Sequence, residues 1–333
     1  MKFALAPLAG FTDAPFRLLC REGGADVAYT EMVSAAGLAH GSVPTRHMLE
    51  TMPGEGPVAC QIFGANERDV ACAADFIQRS CRGSFCELNL NAGCPMSKVT
   101  CCGAGAKLME RPELVGRLLR AMAENTDLPV TLKTRLGPRP QTTSVFEVLD
   151  AAEGAGAAGM TVHARYASQM HGGEVHLETL AEVVRRSRIP VTGNGSVVDA
   201  ESAAAMAATG VSAVMVGRAA LKEPGVFARL RRGLSPPATD VEQARGLFRR
   251  HMELLRKYCA TMAERHPGER LPDAEAWMLV KVRTHLFRYF GGCPGAASLR
   301  AGLGSAKTLA AAERLVEGLE PGRWPGEHMQ LNT

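Results

Sequence analysis

The chain has 333 residues, 46% of them hydrophobic and 22% charged, with a formal net charge of +4. That length suits two domains, or one large domain with an appendage, and it buries a core without covalent staples. The composition excludes a disordered chain, and the absence of any run of about 18 apolar residues excludes a membrane span; the nearest approach, 203–217, is interrupted by Thr209, Gly210 and Ser212.

The first residues are apolar enough to suggest a secretory signal, but Pro7 breaks the stretch and no small-residue cleavage site follows. Short β-prone runs then recur at 3–8, 26–31, 58–63, 86–91, 130–135, 159–163, 190–194 and 212–216. Between them lie helix-like stretches such as 67–79, 112–123, 144–155, 177–186 and 199–208. Strands that alternate with helices pair in parallel. Eight such units in residues 1–233 predict a closed (β/α)8 TIM barrel of the α/β class. A doubly wound open sheet is the alternative, but its Gly-x-Gly-x-x-Gly turn is missing after the first strand, where Ala9-Gly10-Phe11-Thr12-Asp13 stands.

Polar residues end these apolar runs: Gln61, Asn89 and Asn91, Lys133 and Arg135, His163, and Asn194. In a barrel the C-terminal strand ends converge on one mouth, so this spacing predicts a single polar site. One polar strand end is an ordinary loop boundary; several that converge are not. Cys94 follows the fourth strand on a Gly/Pro loop, where a thiol suits a proton donor or a nucleophile as well as an inert passenger. The small residues 103–106 suit a loop that closes or approaches a ligand tightly.

Residues 234–240 form a turn-rich linker, with Thr239 or Asp240 placed to cap the helix that follows. From there the pattern is helical. Ala244, Leu247, Phe248, Met252, Leu255, Tyr258 and Met262 recur at helix spacing, and Trp277, Val280, Phe287 and Phe290 repeat it, which predicts a small helical domain at 241–318 and a tail at 319–333. Lys281, His285 and Arg288 fall at i, i+4 and i+7, a face suited either to phosphate contacts or to solvent. The ten cysteines form no Cys-x-x-Cys pair, although Cys81, Cys86, Cys94, Cys101 and Cys102 lie close in sequence. That spacing predicts free thiols in a reducing, cytoplasmic setting and no metal site.

Several motifs resemble the tRNA-dihydrouridine synthases, FMN-dependent barrel enzymes, of the bacterial type. They are Ala6-Pro-Leu-Ala-Gly-Phe-Thr-Asp-Ala-Pro-Phe-Arg17, Thr30-Glu-Met32, Asn91-Ala-Gly-Cys-Pro-Met-Ser-Lys-Val99, Leu132-Lys-Thr-Arg-Leu-Gly137, Val162-His-Ala-Arg165, Gly193-Asn-Gly195 and Val214-Met-Val-Gly-Arg218. The helical part adds Arg283-Thr-His285 and Gly292-Cys-Pro-Gly-Ala296. The Asn-x-Gly-Cys-Pro motif with its Lys-Val tail is the most specific of these.

The resemblance implies residue roles. Pro7, Leu8 and Ala9 would lay backbone against the flavin ring, and Gln61 would bond the polar edge of the isoalloxazine. Lys133 would stabilise negative charge near its N1–C2 edge, and His163 would lie beside the phosphate or the ring. Asn194, Gly195, Ser196, Gly217 and Arg218 would hold the phosphate region after strands seven and eight. The implied reaction is NADPH (or NADH) reduction of FMN, hydride transfer to uridine carbon 6, and protonation of carbon 5 by Cys94. A thiol of ordinary pKa, about 8.5, is mostly protonated near neutrality and so fit to donate. Asn91 and Arg135 would hold the base, while the barrel rim and the helical domain, with Lys281, His285 and Arg288, would contact tRNA phosphates. No membrane or protein partner is implied.

The chain departs from the family at four places: Ser196 for Asp, Cys101-Cys102 for basic residues, Tyr166 for Thr, and His171-Gly172-Gly173 near a usual Tyr-x-Gly. Three other readings compete. A dihydroorotate dehydrogenase-like enzyme needs neither the helical domain nor the Asn-x-Gly-Cys-Pro motif. A non-catalytic RNA-binding barrel has no use for Cys94, Lys133 and Arg218 together. A metal- or redox-sensing cysteine cluster calls for paired spacing, which is absent.

Overall fold

The computed structural model describes residues 1–237 and 240–319. The chain divides into two compact units, one of Met1–Ala220 with Gly225–Ser235, the other of Leu221–Pro224 with the residues from Pro236 onward. Part of the expected linker (238–239) and nearly all of the expected tail (320–333) lie outside the described residues. Among the described residues no helix is long and apolar enough to cross a membrane.

The first unit is a closed, all-parallel barrel. Its strands are β1 (Lys2–Leu5), β2 (Val27–Tyr29), β3 (Val33–Ser34), β4 (Val58–Phe63), β5 (Glu87–Ala92), β6 (Val130–Arg135), β7 (Gly159–His163), β8 (Val191–Asn194) and β9 (Ala213–Val216). β1 pairs with both β2 and β9, and β2 pairs with β4, so the ladder returns on itself. The eight expected strands are all present. The second is split: β2 and β3 both run along β4 and are separated by Thr30, Glu31 and Met32. Thr30 causes the break, because its hydroxyl accepts from the Gln61 N–H at 3.0 Å and donates to the Glu31 carbonyl at 2.7 Å. The first strand is also shorter than expected. Pro7 has no N–H to donate, and the Leu8 N–H turns to the Thr12 hydroxyl instead.

Helices pack outside the strands through one apolar stripe each. Glu67–Ser80 buries Val70, Ala73, Ala74 and Ile77; Pro112–Ala123 buries Leu114, Val115, Leu118, Leu119 and Met122. Side-chain caps start several of them, as Asp13 accepts from Phe16 N–H, Asn66 from Asp69 N–H, and Asp199 exchanges bonds with Ser202. Inside the barrel Ala4, Ala6, Tyr29, Ala59 and Met215 form a small apolar cluster.

The second unit is helical. Asp240 caps the 25-residue helix Val241–Arg265, which is followed by Ala274–Thr284, a 3-10 turn Leu286–Phe290, Ala296–Ser305 and Leu309–Glu317. Phe248, Met252, Leu255, Val282, Leu286, Phe290, Leu303 and Val316 make its core. The expected basic face at 281–288 does not form. The helix ends at Thr284, with His285 at its C-cap, so the i, i+4, i+7 projection fails there. Lys281 and His285 are buried; the Lys281 ammonium lies 5.2 Å from the Trp277 ring centre and the His285 ring packs edge-on to His251 at 5.1 Å. Arg288 is half-buried and donates back to the Thr284 carbonyl at 3.2 Å. Val280, expected in the apolar pattern, is instead exposed.

One buried ion pair anchors the barrel's first loop. Arg17 donates through Nε to Glu55 at 2.8 Å, through Nη1 to the Thr12 carbonyl and through Nη2 to the Glu50 carbonyl. Both charged side chains are almost fully enclosed. Removing one partner of such a pair strands the other charge, whereas removing both is far milder. Arg17→Met is therefore expected to cost about 3–5 kcal/mol in a urea denaturation, and Arg17→Met/Glu55→Leu to recover much of that loss. Equal stability of the single variant and the wild type rules this role out.

Candidate active site

Parallel register lays the inward-facing strand positions in rows. Gln61, Asn89 and Thr131 stand abreast; one row nearer the C-terminal ends come Asn91, Lys133 and Thr161; the last row holds Arg135, His163 and Asn194. The polar strand ends singled out in the sequence thus face one interior. Gln61, Asn89, Asn91, Arg135, His163 and Asn194 are buried, and Lys133 is half-buried.

The amides are locked to one another. Asn91 Nδ2 donates to Gln61 Oε1 at 2.8 Å, and Gln61 Nε2 donates to Asn89 Oδ1 at 2.7 Å. An amide nitrogen carries two protons, so Gln61 has one N–H beyond its bond to Asn89. Lys133 Nζ donates to Asn194 Oδ1 at 3.2 Å, and Asn194 Nδ2 donates to the Met215 carbonyl at 2.8 Å.

Cys94 is half-buried on the loop after β5. Its N–H and that of Gly93 both donate to Asn91 Oδ1, at 2.9 and 3.1 Å. Its carbonyl accepts from Ala106 N–H at 2.9 Å. Gly105 has φ +60°, and a Cβ there would lie 2.5 Å from the Cys94 carbonyl oxygen. The small residues at 103–106 therefore seat the Cys94 loop through a close backbone approach, as expected of a loop that closes. Cys101 and Cys102 are exposed beyond the helix Ser97–Thr100, with their sulfurs 3.8 Å apart.

Arg135 ties that loop to the next: Nε donates to the Gly93 carbonyl at 3.0 Å and Nη1 to the Tyr166 carbonyl at 3.1 Å. Arg165 was part of a sequence motif but carried no expected role. It is buried, donates to the Gly172 and Gly173 carbonyls and to Ser196 Oγ at 2.7 Å, and its Nη1 lies 3.4 Å from His163 Nε2. Ser196 adopts φ +49°, unusual for a residue with a side chain, and its bond to Arg165 offsets that cost. Gly195, at φ +137°, lets backbone pass the His163 ring, since a Cβ would meet His163 Cδ2 at 3.3 Å.

Gly217 opens the turn after β9 beside the β1 loop, where a Cβ would lie 3.7 Å from Ala6 and 3.9 Å from Leu8. Arg218 is exposed and donates to the His171 carbonyl at 3.2 Å. Pro7 and Leu8 are half-buried and Ala9 is exposed at the same end of the barrel.

The electrostatics of this mouth are one-sided. Burial, and then Arg135, push the Lys133 ammonium down to about 7, with the Cys94 thiol acting in the opposite sense. Burial also pushes Arg135 down to about 10; Cys94 opposes this shift and Arg165 and Arg218 add to it. His163 and His171 are both held below their ordinary values, by burial first and then by these same cations. The leading charges acting on the cluster are thus its own members, the signature of a site shaped for an anion. A phosphate together with the electron-rich pyrimidine edge of a flavin suits it. The cations Lys133, Arg135, Arg165 and Arg218, with the donor Gln61 and the glycine turns at Gly195 and Gly217, form a donor set that fits FMN.

Comparison with known proteins decides the family. A family model described as "Dihydrouridine synthase (Dus)" matches residues 4–320. The chain belongs to the dihydrouridine synthase family. A tRNA-dihydrouridine synthase B of Xanthomonas campestris is 32% identical over 313 residues, covering 92% of this chain and 89% of that protein. One from Pseudomonas aeruginosa is 32% identical over 305 residues, covering 90% and 87%. Among solved structures, a morphinone reductase in complex with tetrahydroNAD matches with a TM-score of 0.52 at 12% identity, covering 72% of this chain and 89% of that one. That likeness concerns the barrel fold. As a dihydrouridine synthase, the chain is an enzyme.

The depressed Lys133 carries a measurable consequence. The unfolded chain binds a proton at this site up to its ordinary value of 10.5, the folded apoprotein only up to about 7. The unfolded state therefore holds more protons across that window, and this group's contribution makes apoprotein stability rise with pH between about 7 and 10.5. Lys133→Met is expected to flatten that rise in urea denaturations of the apoprotein between about pH 7 and 9; a rise of the same size in this variant places the titration elsewhere.

Proposed function

We propose that this enzyme reduces uridine to 5,6-dihydrouridine in tRNA, with FMN as its resident cofactor and NADPH (or NADH) as the reductant. The observation that carries the reading is a cysteine loop pinned from both sides, by Asn91 and by Ala106, over a barrel mouth that gathers Lys133, Arg135, Arg165 and Arg218. The names of the relatives support the substrate, and the cation cluster supports the cofactor.

Pro7, Leu8 and Ala9 bound one side of the cofactor site. Gln61 offers its remaining N–H to the ring edge, Lys133 faces the pyrimidine edge and is steered by Asn194, and His163, Asn194, Gly195, Ser196, Gly217 and Arg218 enclose the phosphate region. When bound, FMN supplies the hydride that adds to uracil carbon 6. Cys94 gives its proton to carbon 5, and its sulfur is held in place by backbone bonds that do not involve the thiol. Asn91 and Arg135 position the base, Arg135 with the guanidinium N–H groups that its two carbonyl contacts leave over. The target uridine leaves the RNA stack to reach this mouth, an unstacking cost of a few kcal/mol that phosphate contacts elsewhere on the protein offset. A cytoplasmic location accords with that substrate and with ten free cysteines.

The test is Cys94→Ala. This variant is expected to retain FMN and to be reduced by NADPH at the wild-type rate, while reoxidation of its reduced flavin by tRNA slows by ~10²–10⁴, the usual share of a positioned general acid. Cys101→Ala and Cys102→Ala are expected to leave that rate nearly unchanged. A fully active Cys94→Ala assigns the acid elsewhere, and wild-type protein that never binds FMN overturns the enzymatic reading.

A further inference from the structure

A single run of side chains crosses the barrel interior beneath the mouth. It begins at the N–H groups of Gly93 and Cys94, which donate to Asn91 Oδ1. Asn91 Nδ2 donates to Gln61 Oε1, and Gln61 Nε2 to Asn89 Oδ1. Asn89 Nδ2 donates to Thr131 Oγ1 at 2.7 Å, and Thr131 Oγ1 donates to Glu87 Oε1 at 2.6 Å. Glu87 opens β5 at the opposite end of the strand from Cys94, and the same carboxylate oxygen also accepts from Tyr29 Oη at 2.6 Å.

The direction of this chain is forced from both ends. A backbone N–H only donates, so Asn91 must present its oxygen to Gly93 and Cys94. A carboxylate only accepts, so the one proton of Thr131 must point at Glu87, which leaves the Thr131 oxygen to receive from Asn89. The three amides between have one orientation that satisfies both ends. Flipping any of them sets donor against donor or acceptor against acceptor in a buried layer, where an unmade bond is costly.

We infer that Glu87 is a positioning residue for Cys94. Its carboxylate oxygen sets the sense of a five-residue relay that ends on the Cys94 backbone, so the lower end of the barrel holds the cysteine loop in register with the mouth. This deepens the proposed function, resting on Cys94 as the proton donor, but the positioning itself is measurable without substrate.

The relay is cut in the middle by Thr131→Val, which keeps shape and removes the hydroxyl, and at its end by Glu87→Ala. Glu87→Gln retains an acceptor oxygen, and Tyr29→Phe removes a bond to Glu87 that lies off the path to Cys94. In a Cys101→Ser/Cys102→Ser background, iodoacetamide labelling of Cys94 is followed by peptide mass spectrometry on both apoprotein and FMN-loaded protein. Thr131→Val and Glu87→Ala are expected to speed labelling at least threefold, as the loop loosens. They are also expected to slow tRNA-driven flavin reoxidation about tenfold, the scale of one lost hydrogen bond, with FMN content and the NADPH reduction rate within twofold of wild type. Combining the two substitutions is expected to add nothing beyond either alone. Glu87→Gln and Tyr29→Phe are expected to stay within about threefold on both readouts. A merely structural role for Glu87 would lower thermal stability and flavin content together without separating the two half-reactions. Wild-type labelling in folded Thr131→Val and Glu87→Ala overturns the inference, as does a Glu87→Gln as impaired as Glu87→Ala. If the wild type makes no dihydrouridine, the proposed function fails, and the labelling still decides the positioning.

Discussion

Pairing of Lys2–Leu5 with Ala213–Val216 closes the sheet, and that closure sets the β1 loop with Leu8 beside Gly217 on the interior that β4 to β8 line. An open parallel sheet would place the ends of β4 and β8 far apart. Wrapped into a barrel, the inward rows of successive strands share one interior. Lys133 reaches Asn194 across the one strand between them, β7, and Arg165 reaches from the end of β7 to Ser196 after β8. Such contacts are long in sequence and short in space, and each depends on a register in which Arg135, His163 and Asn194 stand abreast.

Closure also concentrates like charge. Lys133, Arg135, Arg165 and Arg218 crowd around His163 and His171; burial first and then these like charges hold Lys133, Arg135, Arg165 and both imidazoles below their ordinary values. A protein tolerates such a cluster where something negative offsets it, because desolvated cations repel strongly when no counter-charge is near. The contrast with Arg17 is instructive. That guanidinium is more deeply buried yet meets Glu55 and two carbonyls inside the chain, so it anchors structure and asks for no ligand. Burial of a cation alone does not separate a binding site from a structural pair; the presence or absence of an internal counter-charge does.

Polar order inside the barrel runs in layers. Near the mouth the side chains are positive and partly open, while below them neutral amides and a threonine hydroxyl are satisfied by one another. The lower layer gives the upper one rigidity, since amides with no alternative orientation cannot drift. The Cys94 loop takes its position from this layer on one side and from the Gly105 approach on the other. The Cys94 backbone is thus fixed through its N–H and its carbonyl, and its thiol stands beside Lys133 and Arg135.

Local pattern was enough for the barrel. Strand and helix alternation, the polar strand ends and the Asn91-to-Val99 motif are carried by neighbouring residues, and helices such as Pro112–Ala123 and Leu177–Arg186 begin and end where composition changes. The partners of those polar ends were not legible, because hydrogen bonds such as Asn89 to Thr131 or Arg165 to Ser196 join residues brought together only by register. Thr30 showed no local sign that its hydroxyl would interrupt the second strand, nor Gly105 that its missing side chain would serve the Cys94 carbonyl. The basic face at 281–288 failed for a related reason. Periodicity assumes an unbroken helix, but the helix ends at Thr284, and Lys281 and His285 are buried. Sequence by itself determined the elements and the chemistry available at their ends; tertiary structure decided which of those groups meet, because parallel register and burial act between segments that no local pattern connects.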